Sequence, residues 1–205
     1  YRANNLDVAL KDYNGVIQLD PTNSVARNGL GLIYEERKEL EKALKEYSFA
    51  LASDEDYEVA RLNRAVCLRK MKKIVEAIVD LQFVLKKNSQ IYNAWMLLGK
   101  CFRQIRKIDE ALKAFEFATQ VDKAQVGSWR LLAECFMAKK LYVDTIQTLT
   151  VAISMDKKSA KLYKLRAEAH IKIKNEEGAL ADLDQAITLK KNFDSAYALK
   201  SSILL

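Results

Sequence analysis

The stretch that decides the fold is residues 92–125, YNAWMLLGKCFRQIRKIDEALKAFEFATQVDKAQ. Its apolar residues fall as Trp95, Leu98 and Phe102, then Leu112, Phe115, Ala118 and Thr119, which is the spacing of two amphipathic helices. Sliding the chain by 34 positions repeats the pattern in both directions: Trp95 matches Trp129, and Cys67, Cys101 and Cys135 fall in one column. Three columns of mostly small residues accompany them. The first is Gly31, Ala65, Gly99, Ala133, Ala167, Ser201, and the second is Ala9, Ala43, Ala77, Ala111, Thr145, Ala179. The third is Val16, Ala50, Val84, Ala118, Ala152, Ala186. Small residues at such intervals mark close crossings between helices, whose axes normally pack about 8–10 Å apart. Each unit thus reads as a helical hairpin that cannot bury its apolar stripe alone and must stack on its neighbours.

The rest of the chain agrees with this reading. Its 205 residues make just over six periods of 34, with no insertion breaking the register. Half of them are hydrophobic and 30% are charged, a balance that excludes a disordered or collagen-like chain. A single Pro and six Gly argue against an all-β protein, which needs turn residues at short intervals. No run approaches the roughly 18 apolar residues of a membrane span, so a soluble protein is expected.

The unit Trp95-x2-Leu98-Gly99-x2-Phe102, followed by Ala111, Phe115 and Ala118, closely resembles the tetratricopeptide repeat signature, and Pro21 occupies that family's closing position. The resemblance covers the whole chain. It implies an all-α, right-handed α-solenoid of stacked helix-turn-helix hairpins, with repeats at 24–57, 58–91, 92–125, 126–159 and 160–193. Residues 1–23 then read as the end of an earlier unit and 194–205 as the first helix of a further one, so a segment of a longer protein is expected. The closing proline is replaced by Glu55, Ser89, Lys123, Lys157 and Lys191 elsewhere, which leaves those turns less rigidly set.

Nothing in the sequence assembles a catalytic site. The three cysteines hold equivalent places in successive units, too far apart for a disulfide, and read as buried thiols of a reducing, cytoplasmic compartment; nuclear and ciliary locations stay open. His170 shares a column with Tyr34, Leu68, Phe102 and Phe136 and reads as a packed residue. No phosphate loop, nucleophile elbow or metal-ligand cluster is present, so no enzyme, cofactor or metal is expected.

The charge is uneven. Residues 1–57 carry 7 Lys+Arg against 11 Asp+Glu, and residues 58–205 carry 27 against 16. The turns 69–73, 103–107, 137–141 and 171–175 sum to the whole +11 of that second segment, and each contains one member of the column Lys38, Lys72, Arg106, Lys140, Lys174. A cation at a helix C-terminus complements the dipole; a docking edge for an acidic partner is the other reading.

In the family the outward positions of each first helix build a concave face where partners lie. Here they supply an apolar floor, Val59, Leu62, Val66, Met96 and Leu97, with Asn63 beside it and a rim of Arg69, Lys70, Lys100 and Arg103; Arg130 and Leu131 continue the stripe. The family's clamp for a chaperone C-terminal carboxylate is absent, since only Asn63 fits it, and the family's asparagine ladder fails because its column reads Gly29, Asn63, Leu97, Leu131, Leu165, Leu199. The expectation is a non-catalytic scaffold within a larger assembly, binding an amphipathic or acidic segment of another protein. RNA binding, or delivery of substrates to a catalytic domain elsewhere, are the alternatives; no aromatic residue in the basic turns is placed to stack on bases.

Overall fold

The computed structural model describes the backbone of residues 2–204 and the side chains of residues 5–204. Among these, all regular structure is α-helical, in twelve helices: α1 (Arg2–Leu19), α2 (Ser24–Glu36), α3 (Leu40–Ser53), α4 (Glu58–Lys70), α5 (Ile74–Lys87), α6 (Tyr92–Gln104), α7 (Ile108–Val121), α8 (Val126–Ala138), α9 (Tyr142–Met155), α10 (Ala160–Lys172), α11 (Glu176–Leu189) and α12 (Asp194–Leu204). The chain divides into two compact units, residues 1–105 and 106–205, with the division between α6 and α7. Within the first, each helix packs on the next from α1 to α6, and α4 also touches α2 and α6; within the second, the same sequential packing runs from α7 to α12.

The small columns lie in the interior, where helices cross. Ala43, Ala77, Ala111, Thr145 and Ala179 are fully buried, as are Ala50, Val84, Ala118, Ala152 and Ala186. A methyl group on Gly31 would lie 2.4 Å from the Tyr47 ring, whereas Ala133 packs in one cluster with Leu149 and Ala167 in another with Leu183. In each of these crossings the small residue is matched in volume to the large one facing it. Val16 and Ser201, at the ends of their columns, are exposed.

Two polar devices recur. Where the Trp95 position holds Trp or Arg, that residue donates a hydrogen bond to the carbonyl six residues upstream: Trp95 Nε1 to Ser89 at 2.8 Å, Trp129 Nε1 to Lys123 at 2.9 Å, and Arg61 Nη2 to Glu55 at 2.6 Å. Arg27 reaches the Pro21 carbonyl in the same way, at 3.3 Å. Between hairpins, Asp20, Asp54, Asn88, Asp122 and Asp156 each accept the backbone N–H two residues on, at 3.0–3.1 Å. Short polar side chains stabilise tight turns in this way, without proline.

The cation column falls in the turn inside each hairpin. Lys38, Lys72, Arg106, Lys140 and Lys174 all have φ between 60° and 63°, the left-handed conformation that closes a helix C-terminus. The N–H of the next residue reaches back to the carbonyl five residues earlier: Glu39 to Tyr34, Lys73 to Leu68, Leu141 to Phe136 and Asn175 to His170, each at 2.9 Å. Glycine would adopt this φ without strain, so the cations stand where the backbone prefers no side chain.

Candidate partner-binding surface

In the first unit, α4 and α6 enclose a cleft of about 280 Å³ lined by Leu62, Asn63, Val66, Asn93 and Leu97. Leu62, Val66 and Leu97 are half-buried, so each offers part of its surface to a ligand. Asn63 Nδ2 donates to Asn28 Oδ1 at 2.9 Å, which orients its amide. Asn93 is exposed and lies at the second position of α6; its short side chain gives the wall a polar edge that the sequence reading did not single out. The register of the repeat could have found it, because it lies four residues before Leu97 and so on the same helix face.

The other expected floor residues divide. Val59 is 52% exposed and stands outside the cleft, while Met96 is 8% and Leu131 7% exposed, which places both in the packed interior. Leu97, Leu131 and Leu165 share a column, yet only Leu131 is closed off.

The cationic rim is weaker than its residue count suggests. Lys70 Nζ lies 2.7 Å from Glu35 Oε1, so its charge is largely neutralised; Glu35 also accepts from the buried Tyr47 hydroxyl at 3.0 Å. Arg69 keeps its Nε buried without a hydrogen-bond partner. Lys100 is exposed, Arg103 is half-buried, and Arg130 in the second unit is paired with Glu134 of its own helix. Other turn cations are also engaged: Lys73 with Glu76, Lys107 with Glu110, and Lys139 with Asp109.

The residues with latent reactivity are held inert. Cys67, Cys101 and Cys135 are buried free thiols. Burial pushes both Cys67 and Cys101 up to about 11, with Glu35 adding to the effect at Cys67, so neither is a thiolate at neutral pH. His170 has a partner that the sequence reading did not assign: its Nε2 is 3.9 Å from Asp182 Oδ2, and its Nδ1 is 3.1 Å from Asn175 Nδ2. Burial nonetheless holds its pKa below the ordinary value, against the pull of Asp182. Among the described residues, no group of three or more His, Cys, Asp or Glu side chains could hold a metal ion, and no helix is long and apolar enough to cross a membrane.

Stacked helical hairpins with this signature define an all-α repeat protein. Tetratricopeptide repeat models match residues 1–58 and 92–125, and these matches support assignment of the chain to the tetratricopeptide repeat family. No curated protein matches its sequence. Among solved structures it is similar to YrrB, described as a TPR protein with an unusual peptide-binding site, at 17% identity and a TM-score of 0.82, covering 92% of this chain and 97% of that one. PilF of Pseudomonas aeruginosa is similar at 19% identity and a TM-score of 0.79, with 98% and 91% covered. The APC/C Cut9–Hcn1 hetero-tetramer matches at 18% identity and a TM-score of 0.67, with 99% of this chain and 40% of that one covered. These likenesses establish the fold.

Proposed function

We propose that the chain is a non-catalytic scaffold whose α4–α6 cleft takes the apolar side chains of an amphipathic helix or extended segment from a partner protein, within a larger assembly. The observation that carries this reading is the cleft itself: three part-exposed aliphatic side chains, Leu62, Val66 and Leu97, edged by the amides of Asn63 and Asn93. Aliphatic anchors in a concave wall supply affinity, and polar edges orient the bound segment. No cation lines the cleft, which argues against a bare C-terminal carboxylate such as a chaperone tail. Lys100 and Arg69 outside it favour acidic flanks on the partner. The ion pairs that engage Lys70, Lys73, Lys107 and Lys139 weigh against the basic turns as a nucleic-acid surface.

Selection of random twelve-residue peptides on the immobilised chain tests this. Enriched peptides should share spaced Leu, Phe or Met residues with Asp or Glu nearby, and Leu97→Glu should weaken them by about tenfold or more, mainly through the off-rate. Arg69→Glu with Lys100→Glu should slow association and flatten its salt dependence. Selected peptides that bind both variants like wild type would show that the cleft is not the site.

A further inference from the structure

The last inter-hairpin turn breaks a rule that the other five keep. Asp20, Asp54, Asn88, Asp122 and Asp156 close their turns with a side-chain acceptor, but the equivalent residue before α12 is Lys190. An ammonium accepts nothing, so the N–H of Asn192 lacks that partner. The regular turn of the other linkers becomes an open bend at Lys191. Losing one such hydrogen bond destabilises the turn. In return, the charge at this point changes from negative or neutral to positive.

That charge joins two others. Lys161 and Lys164 of α10, Lys190, Phe193, Ala160 and Ser195 line a cleft of about 240 Å³ in the second unit. Lys161 stands where earlier repeats have Val59, Asn93 and Gly127, and Lys164 where they have Leu62, Met96 and Arg130. No carboxylate lines the cleft. Its end of α10 has no acidic residue in the first turn, and Ser159 makes no side-chain cap, so the positive end of that helix dipole adds to the field. Lys161 is exposed, Lys190 lies 4.9 Å from the Phe193 ring centroid, and Lys164 is held 2.5 Å from Glu168.

We propose that this cleft binds the side-chain carboxylates of an acidic peptide segment. Lys161 and Lys190 would carry most of the attraction, because Lys164 is already paired. Two features favour a peptide over a nucleic acid. The Phe193 ring is occupied by Lys190 and is not free to stack on a base. The cations are point-charged lysines with no arginine fork for phosphate. The site shares no residue with the α4–α6 cleft, so each stands or falls by itself.

The test is fluorescence anisotropy of a labelled hexaglutamate peptide with the whole 205-residue chain. Lys161→Asn with Lys190→Asp installs the residues that the chain itself carries at those positions in α6 and before α10. Peptide affinity should fall by about tenfold or more, while the thermal midpoint holds or rises as the N–H of Asn192 regains an acceptor. The control Lys113→Asn with Lys172→Asp removes the same net charge from elsewhere in the unit and should leave affinity within about twofold. Failure of wild type to bind, equal losses in both double variants, or undiminished binding by Lys161→Asn with Lys190→Asp would each overturn the proposal. A hexauridine RNA that binds more tightly than the peptide and is lost with the same variant would assign the cleft to nucleic acid and overturn the peptide.

Discussion

Hairpins α4–α5 and α8–α9 fill the same crossing with opposite chemistry. In α4–α5, Arg64 forks onto Asp80 through Nε and Nη2 at 2.8 and 2.7 Å, and Arg61 adds a contact at 3.4 Å. Asp80 is 3% exposed. In α8–α9 the equivalent residues are Leu132 and Thr148, both buried, with Trp129 at the Arg61 position. Hairpin α10–α11 returns to the ionic solution, with Arg166 bound to Asp182 at 2.8 and 2.7 Å and Tyr163 at the Arg61 position. The crossing therefore demands filled volume and satisfied donors, and leaves open whether an ion pair or an aliphatic pair supplies them. Burying ions is costly, so the ionic version gains little net stability over the apolar one yet is far more damaging to break in half.

The largest effect expected from this contrast is Asp182→Ala, which strands Arg166 in a half-buried site and should cost about 3 kcal/mol by denaturant titration. Thr148→Ala, its counterpart in α8–α9, should cost less, about 1–2 kcal/mol, because a hydroxyl and a methyl group are lost but no charge is left unpaired. Copying the apolar solution whole, Arg166→Leu with Asp182→Thr, should bring stability back to within about 1 kcal/mol of wild type. A double variant as unstable as Asp182→Ala would show that the two hairpins are not interchangeable.

A smaller effect tests the turns that both hairpins share. Lys72→Gly follows α4 and Lys140→Gly follows α8, and each removes a side chain from a left-handed residue. Relief of that strain, about 1–2 kcal/mol, outweighs the sum of glycine's entropic cost, about 0.5 kcal/mol, and a lost cation–dipole contact at the exposed end of its range, about 0.3 kcal/mol. Both variants should therefore unfold at slightly higher denaturant. A drop in either would mean that the cation stabilises the turn by more than the strain costs.

The smallest effect separates α10–α11 from the other two hairpins. The pKa of His170 is lower in the folded protein than its ordinary value of 6.5, so the unfolded chain binds the proton more readily. Stability present at neutral pH should thus diminish as pH falls through 6.5 and below. His170→Phe, which copies Phe102 and Phe136, should remove that part of the acid sensitivity. An unchanged pH profile of the denaturation midpoint would assign it to other groups.

The ion pairs were written in the sequence but not read from it. Sixteen residues apart, the columns pair Arg64 with Asp80, Leu98 with Ala114, Leu132 with Thr148 and Arg166 with Asp182, changing character together. Charged residues on a helix are usually solvated, so such a pair draws no attention until the structure shows Asp80 and Asp182 buried. Lys190 was equally visible as the one cation in a column of Asp and Asn. Its meaning depended on Lys161 and Phe193 being brought beside it.

What the sequence determined alone was the repeat: the all-helical class and the buried small columns. A period of 34 with two runs of helical spacing leaves no other way to cover each apolar stripe. Only the tertiary structure decided which outward residues remain available. Leu97 and Leu131 occupy one column, but the first opens onto a cleft and the second is 7% exposed. Lys70 looked like a free rim cation until Glu35, one repeat away, was found 2.7 Å from it. The periodicity of one helix specifies the direction of a side chain, whereas its burial and its charge partner depend on what the neighbouring helices place in front of it.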